Sequence, residues 1–141
     1  MRRGAVTMTR DRIRSVSREF TGESLRRIRD LVDQTARVAG VSAANAHNLV
    51  IAVSELAANA VRHGGGSGRI LIEQTDDGVR VEVSDHGPGL PEHLSQELPA
   101  PDAIGGRGLW MVRSLCRDLH ISSTARGVTV RLFMPRTEPA G

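Results

Sequence analysis

The spacing of the apolar residues changes once along this chain, and that change constrains the fold more than any other feature. From Ser42 to Gly64 they recur at helical spacing, with Ala46, Leu49, Val50, Val53, Ala57, Ala60 and Val61 on one stripe. Ser42 is a good N-cap, and Gly64–Gly66 is a clear stop. Immediately afterwards the period falls to two. Arg69–Gln74 and Val79–Ser84 alternate around Asp76-Asp77-Gly78, which predicts a hairpin. A helix with one apolar stripe and a hairpin with one apolar face satisfy each other by packing in two layers.

The flanks extend this pattern. Residues 1–9 read as a loose start, and Met8 is a second candidate for the initiating residue. Arg12–Phe20 alternates loosely, as a short edge strand does. Thr21–Ser24 is a turn and helix start. Leu25, Ile28, Leu31, Val32, Thr35 and Val38 then predict a helix that Gly40 ends. Leu90–Ile104 carries Pro91, Pro99 and Pro101 and has the length of a lid. Gly105–Gly108 leads into a helix with Leu109, Val112, Leu115 and Leu119 on its stripe. His120–Thr124 and Val128–Met134 form two last strands around Gly127, and residues 136–141 are a loose tail. The expectation is one α+β domain over residues 10–135. It is a two-layer sandwich of a mixed, mostly antiparallel sheet with helices on one face.

Composition narrows the chemistry. The 141 residues are 25% charged and 39% hydrophobic, an ordinary globular balance. The longest aliphatic run is Leu49–Val53, far below the ~20 residues of a membrane span. No apolar segment follows the N-terminal arginines, so no secretory signal is read. The lone Cys116 cannot form an internal disulfide, and a reducing cytoplasm is the expected setting. All 19 basic residues are arginine. Mechanisms that require a lysine are thereby excluded: a P-loop NTPase, a Schiff-base enzyme or a kinase of the protein-kinase fold. Residues 1–30 hold nine arginines against four acids, and the remainder ten against twelve. Such a basic front suits an acidic protein or nucleic acid, or is simply a solvated face. Aromatic residues (Phe20, Trp110, Phe133) are too few for a platform that stacks single strands.

Three short segments carry chemistry. On the second helix, Glu55, Asn59 and His63 are four residues apart and share one stripe, since each step advances only ~40°. A carboxamide oxygen can ligate Mg²⁺, and a carboxylate one turn away can take a proton. Asn is a mediocre helix former and needs a reason mid-helix. His63, beside Gly64, fits a helix C-terminus as well as a ligand. Asp85-His-Gly87-Pro-Gly89 leaves a strand, where an aspartate can accept from an exocyclic amine and glycines admit a flat ligand. Gly105-Gly106-Arg107-Gly108 opens a helix, where backbone N–H groups and an arginine fork favour phosphate. Each segment alone is equally an ordinary turn or helix end.

In this order, the three segments resemble the GHKL superfamily of gyrase, heat-shock-chaperone, histidine-kinase and mismatch-repair ATPases, whose nucleotide site is the Bergerat fold. Glu55–Gly64 looks like its N box, Asp85–Gly89 like its first glycine box and Gly105–Gly108 like its second. Val53-Ser-Glu-Leu-Ala-Ala-Asn-Ala-Val-Arg-His-Gly64 and Gly106-Arg-Gly-Leu-Trp110 are similar to the anti-sigma-factor serine kinases and their small bacterial ATP-binding relatives. The resemblance implies ATP and Mg²⁺, with Asn59 as metal ligand and Glu55 as general base on a partner's serine. It implies that Asp85 reads adenine, that Gly87 and Gly89 line the base pocket, and that Gly105, Gly106, Arg107 and Gly108 cradle phosphates. The implied partners are an antagonist protein with a serine acceptor, a sigma factor and a second copy of the chain. Nucleic acid and membrane are not among them. The alternative is a nucleotide-binding module that switches partners without chemistry. A complete histidine kinase is not expected, because no dimerisation helix with an acceptor histidine precedes the N box. The absence of a transducer domain sets the chain apart from topoisomerase-type ATPases. One departure stands out. The family has Gly-Thr opening the last strand, whereas here Val128 follows Gly127 and Thr129 comes one residue later. Neighbouring strand residues face opposite sides, so the threonine's role is not carried over.

Overall fold

The computed structural model describes residues 6–8, 14–88 and 107–137. The elements are β1 (Val6–Met8), β2 (Arg14–Thr21), α1 (Leu25–Val38), α2 (Ala43–His63), β3 (Ser67–Gln74), β4 (Gly78–Ser84), α3 (Arg107–Leu115), β5 (Arg117–Thr124) and β6 (Gly127–Pro135). A 3-10 turn, Gly22–Ser24, joins β2 to α1, and the Thr21 N–H donates to Ser24 Oγ at 2.9 Å to close it. The expected lid, Leu90–Ile104, lies outside the described residues, as do Gly89, Gly105 and Gly106.

The strands form one six-stranded sheet in the order β1-β2-β3-β4-β6-β5, and every ladder is antiparallel. The mixed sheet expected from the sequence is corrected: no described ladder is parallel, and β4 and β5 run the same way only as strands separated by β6. That insertion follows from the connections: α3 carries the chain over from β4 to β5, and a tight turn then brings β6 back between them.

Alternation sorts the two faces of the sheet. One cross-strand row runs Val16, Ile72, Val81, Leu132, and the next runs Ile70, Val83, Val130, Ile121. These residues join Leu49, Val53 and Leu56 of α2, Ile28 and Val32 of α1 and Leu109 and Val112 of α3 in a single core. The opposite face is polar. Arg80 pairs with Glu73 at 3.6 Å and Arg131 with Glu82 at 3.2 Å, exposed contacts that add little stability. The far corner is tied more firmly. Buried Asn45 donates from Nδ2 to Pro135 O at 2.9 Å, and Ser42 N–H donates to Arg136 O at 2.7 Å.

Four further sequence expectations are corrected. β2 is not an edge strand, because Val6–Met8 pair with it outside β3 instead of lying loose. Val38 is 66% exposed, since the α1 stripe continues through Ala36 and Ala39 once the helical phase has drifted. Leu119 is not helical. α3 stops at Leu115, and the ladder of β5 slips between Arg117 and His120, where Asp118 takes a φ of 54°. The α2 stripe is wider than its seven positions and includes Ala52 and Leu56, because α2 packs on the sheet and on both other helices.

Candidate nucleotide site

The C-terminal half of α2 lies against the exit of β4. The Gly64 N–H closes the helix on Ala60 O at 2.7 Å. Two glycines then allow the backbones to touch. A Cβ on Gly87 would sit 2.5 Å from Gly64 Cα, and one on Gly64 would sit 2.3 Å from Asp85 Cγ. Side chains at either position would push the Asp85 turn away from the helix.

Asp85 is fixed from three directions. Its N–H donates to Val128 O at 2.9 Å, and its Oδ1 accepts from Gly87 N–H at 2.9 Å and from Val128 N–H at 3.3 Å. Asn59, His63 and Asp85 border a cavity of about 30 Å³, whose apolar lining comes from Leu56, Ala60, Val83, Leu109, Val128 and Val130. That volume has room for a water or two. Val128 takes the inward position on β6. Thr129 faces the other way, opposite Ser84 and Ser122, and its hydroxyl stands away from Asp85.

Glu55 and Asn59 occupy the same stripe of α2, one turn apart, as their spacing requires. Glu55 is seated against the start of α3. A Cβ on Gly108 would lie 2.1 Å from Glu55 Oε2, so a larger residue there would oblige the carboxylate to swing aside. Arg62, which the sequence reading passed over, completes the cluster. Its Nη2 donates to Asn59 Oδ1 at 2.5 Å and stands 3.5 Å from Glu55 Oε2. The pair Glu55–Asn59 therefore already holds a cation, the guanidinium, and its oxygen donors suit a hard divalent ion such as Mg²⁺. Asn59 Oδ1 would hold such an ion.

Glu55, Asn59, Asp85, Gly87 and Gly108 thus come together from three separate elements. Of Arg107 only the backbone is described, as the first residue of α3. His63, whose role the sequence left open, borders the cavity. The missed Arg62 had one available signal, its position three residues past Asn59 and seven past Glu55, on the same stripe.

The model of the histidine kinase-like ATPase domain matches residues 19–134. The chain belongs to that family. The matched stretch runs from the end of β2 into β6 and includes every described residue of the site. The sensor protein CseC of Streptomyces coelicolor is 35% identical over 91 residues, 61% of this chain and 16% of its own length. The chain therefore spans only a small part of that curated relative. The crystal structure of the RsbU and RsbW domains of Rv1364c from Mycobacterium tuberculosis superposes with a TM-score of 0.63 at 24% identity, over 88% of this chain and 33% of that one. The nucleotide-free catalytic domain of the histidine kinase ThkA superposes at 0.57 with 24% identity, over 86% and 96% of the two chains. At these identities the likeness is one of fold: the α+β sandwich of the GHKL ATPases.

No described helix of this kinase-like ATPase domain is long and apolar enough to cross a membrane. Cys116 plays no part in the site. Burial, with Asp118 adding negative charge nearby, pushes its thiol from 9.0 up to about 11, and Sγ donates to Val112 O at 3.1 Å. A raised pKa leaves the thiol protonated until well above neutrality. Its thiolate fraction at pH 7.5 should be ~100-fold below that of the unfolded chain. Labelling with iodoacetamide should be slow in the native protein and fast in urea. Equal rates in the two states would contradict this assignment.

Proposed function

We propose that the domain is an ATP-binding regulatory protein, a protein-serine kinase of the anti-sigma-factor type. It would phosphorylate an antagonist protein and sequester a sigma factor or a similar partner. The observation that carries this reading is the convergence of Glu55 and Asn59 on the start of α3, one cavity away from the thrice-held Asp85. With Oδ1 of Asp85 taken by two N–H groups, Oδ2 is the acceptor for the exocyclic amine of adenine. Gly87 keeps the turn thin beside Gly64, and Gly87 and Gly89 would line the base pocket. Gly105, Gly106, Arg107 and Gly108 would bind the phosphates, because N–H groups at a helix start and an arginine fork favour anions. Asn59 would hold Mg²⁺, which would supply charge neutralisation to the phosphates.

Glu55 takes the proton of the acceptor serine as its Oγ attacks the γ-phosphorus. The Oγ–P bond forms, the bond from the γ-phosphorus to the bridging oxygen breaks, and ADP leaves. The exposed Arg26 and Arg29 of α1 belong to the basic front of the chain, a surface suited to an acidic protein partner or to a second copy.

Calorimetric titration with ATP, with and without Mg²⁺, tests the first half of this reading. Heat and a thermal shift at millimolar ATP are expected, and neither appearing would refute it. Incubation of the protein, labelled ATP and the partner captured from its native host tests the second half. Label on a partner serine supports the kinase. ATP binding with no transfer to any captured partner leaves the non-catalytic partner-switching module.

A further inference from the structure

Arg62 has no part in the reaction just described, yet it touches both residues on which that reaction turns. Asn59 Oδ1 accepts its Nη2 at 2.5 Å, and Glu55 Oε2 lies 3.5 Å from the same nitrogen. The Arg62 side chain is 57% exposed, and the Glu55 side chain is 24% exposed. One partner is therefore long and largely in solvent, while the other is mostly covered, with its carboxylate beside Gly108 at the start of α3. A guanidinium has five donors and no acceptor, so in this position it can only act as a cation on two oxygens. A divalent ion on Asn59 Oδ1 would stand within a few ångströms of that charge, and the two repel.

We propose that Arg62 is a positioning residue, a tethered counter-cation that holds Glu55 and Asn59 and is exchanged for the metal. Mg²⁺ and the guanidinium are alternatives at Asn59 Oδ1, so the ion's arrival and the arginine's departure are one event. While Arg62 is in place, the base and the amide are fixed and their charge is balanced. Once it leaves, Glu55 loses its cationic neighbour and is open to an acceptor hydroxyl. This rests on the proposal that Asn59 is the metal ligand.

The readout is the factor by which Mg²⁺ tightens ATP. It is measured in the full chain by calorimetry, with chelator in one arm and saturating Mg²⁺ in the other. Interactions that Arg62 makes equally in both arms cancel in this ratio. Arg62→Gln removes the competing charge and should raise the factor about 3- to 10-fold over wild type, the span of one ordinary net hydrogen bond, as suits a contact whose arginine is largely exposed. Arg62→Lys keeps the charge and should stay near the wild-type factor. Neither should change the melting temperature appreciably, since the contact is largely exposed. A factor in Arg62→Gln equal to or below that of wild type, with an unchanged melting temperature, overturns the exchange. Asn59→Ala separates the two levels of the proposal. If Mg²⁺ tightens ATP equally in wild type and Asn59→Ala, the metal assignment itself fails and the exchange fails with it. If Asn59→Ala loses the factor while Arg62→Gln leaves it unchanged, only the exchange fails.

Discussion

Glu55→Ala should bind ATP within a few-fold of wild type and yet transfer phosphate ~10²–10⁴ times more slowly, the usual worth of a general base. That slowing corresponds to about 3–5 kcal/mol of transition-state stabilisation. In the proposed mechanism the two effects separate, because a base acts on the attacking hydroxyl, whereas Asp85, Asn59 and the start of α3 would hold the ground-state complex. Stability should move little, since the substitution breaks a 3.5 Å pair with a largely exposed Arg62 and trims the side chain beside Gly108. Equilibrium titration gives the affinity, and single-turnover transfer to the captured partner gives the rate. Transfer at the wild-type rate would remove Glu55 from the mechanism.

Gly127→Ala should be the most damaging single methyl group near the site. Gly127 adopts a φ of 145°, and a Cβ there would lie 2.0 Å from Asp85 O and 3.1 Å from His86 Cα. Both obstacles are main chain, so no rotamer change relieves them. Overpacking of this kind costs about 1–3 kcal/mol, and alanine held at that φ adds about 1–3 more. The melting temperature should fall by on the order of 10 °C. ATP binding should weaken beyond what the reduced stability explains, because the atoms displaced are the backbone of Asp85, the proposed reader of the base. Gly65→Ala is the control, as that glycine also has a positive φ, of 92°, but a Cβ there meets nothing closer than 3.9 Å. If the two variants melt together, the crowding at Asp85 contributes nothing.

The parts of the site that were legible in the sequence are those fixed by local geometry. The spacing of Glu55 and Asn59 places them on one stripe of any α-helix. The turn chemistry of Asp85-His-Gly87 ends β4 in any fold. That Val128 and Thr129 face opposite sides follows from strand alternation alone. What stayed hidden depends on partners distant along the chain. The insertion of β6 between β4 and β5 leaves no local signal, and neither does the covering of β2 by Val6–Met8. Leu119 kept helical spacing on paper, but the slip at Asp118 moved it onto a strand. Arg62 was obscured for a compositional reason: in a chain whose 19 basic residues are all arginine, one more on a helix reads as a solvated face.

The order in which the site is assembled follows from where its clamps lie. Asp85 is gripped by Val128, 43 positions downstream, and the α1–α2 corner is latched by Pro135 and Arg136, 90 and 97 positions from their partners Asn45 and Ala39. A ribosome therefore releases α2 and β4, with their functional residues, well before the strand that aligns them. Until then the nascent domain is a set of correct parts without a pocket. It acquires the capacity to hold a nucleotide only after the β5–β6 hairpin has emerged and β6 has slid into the gap beside β4.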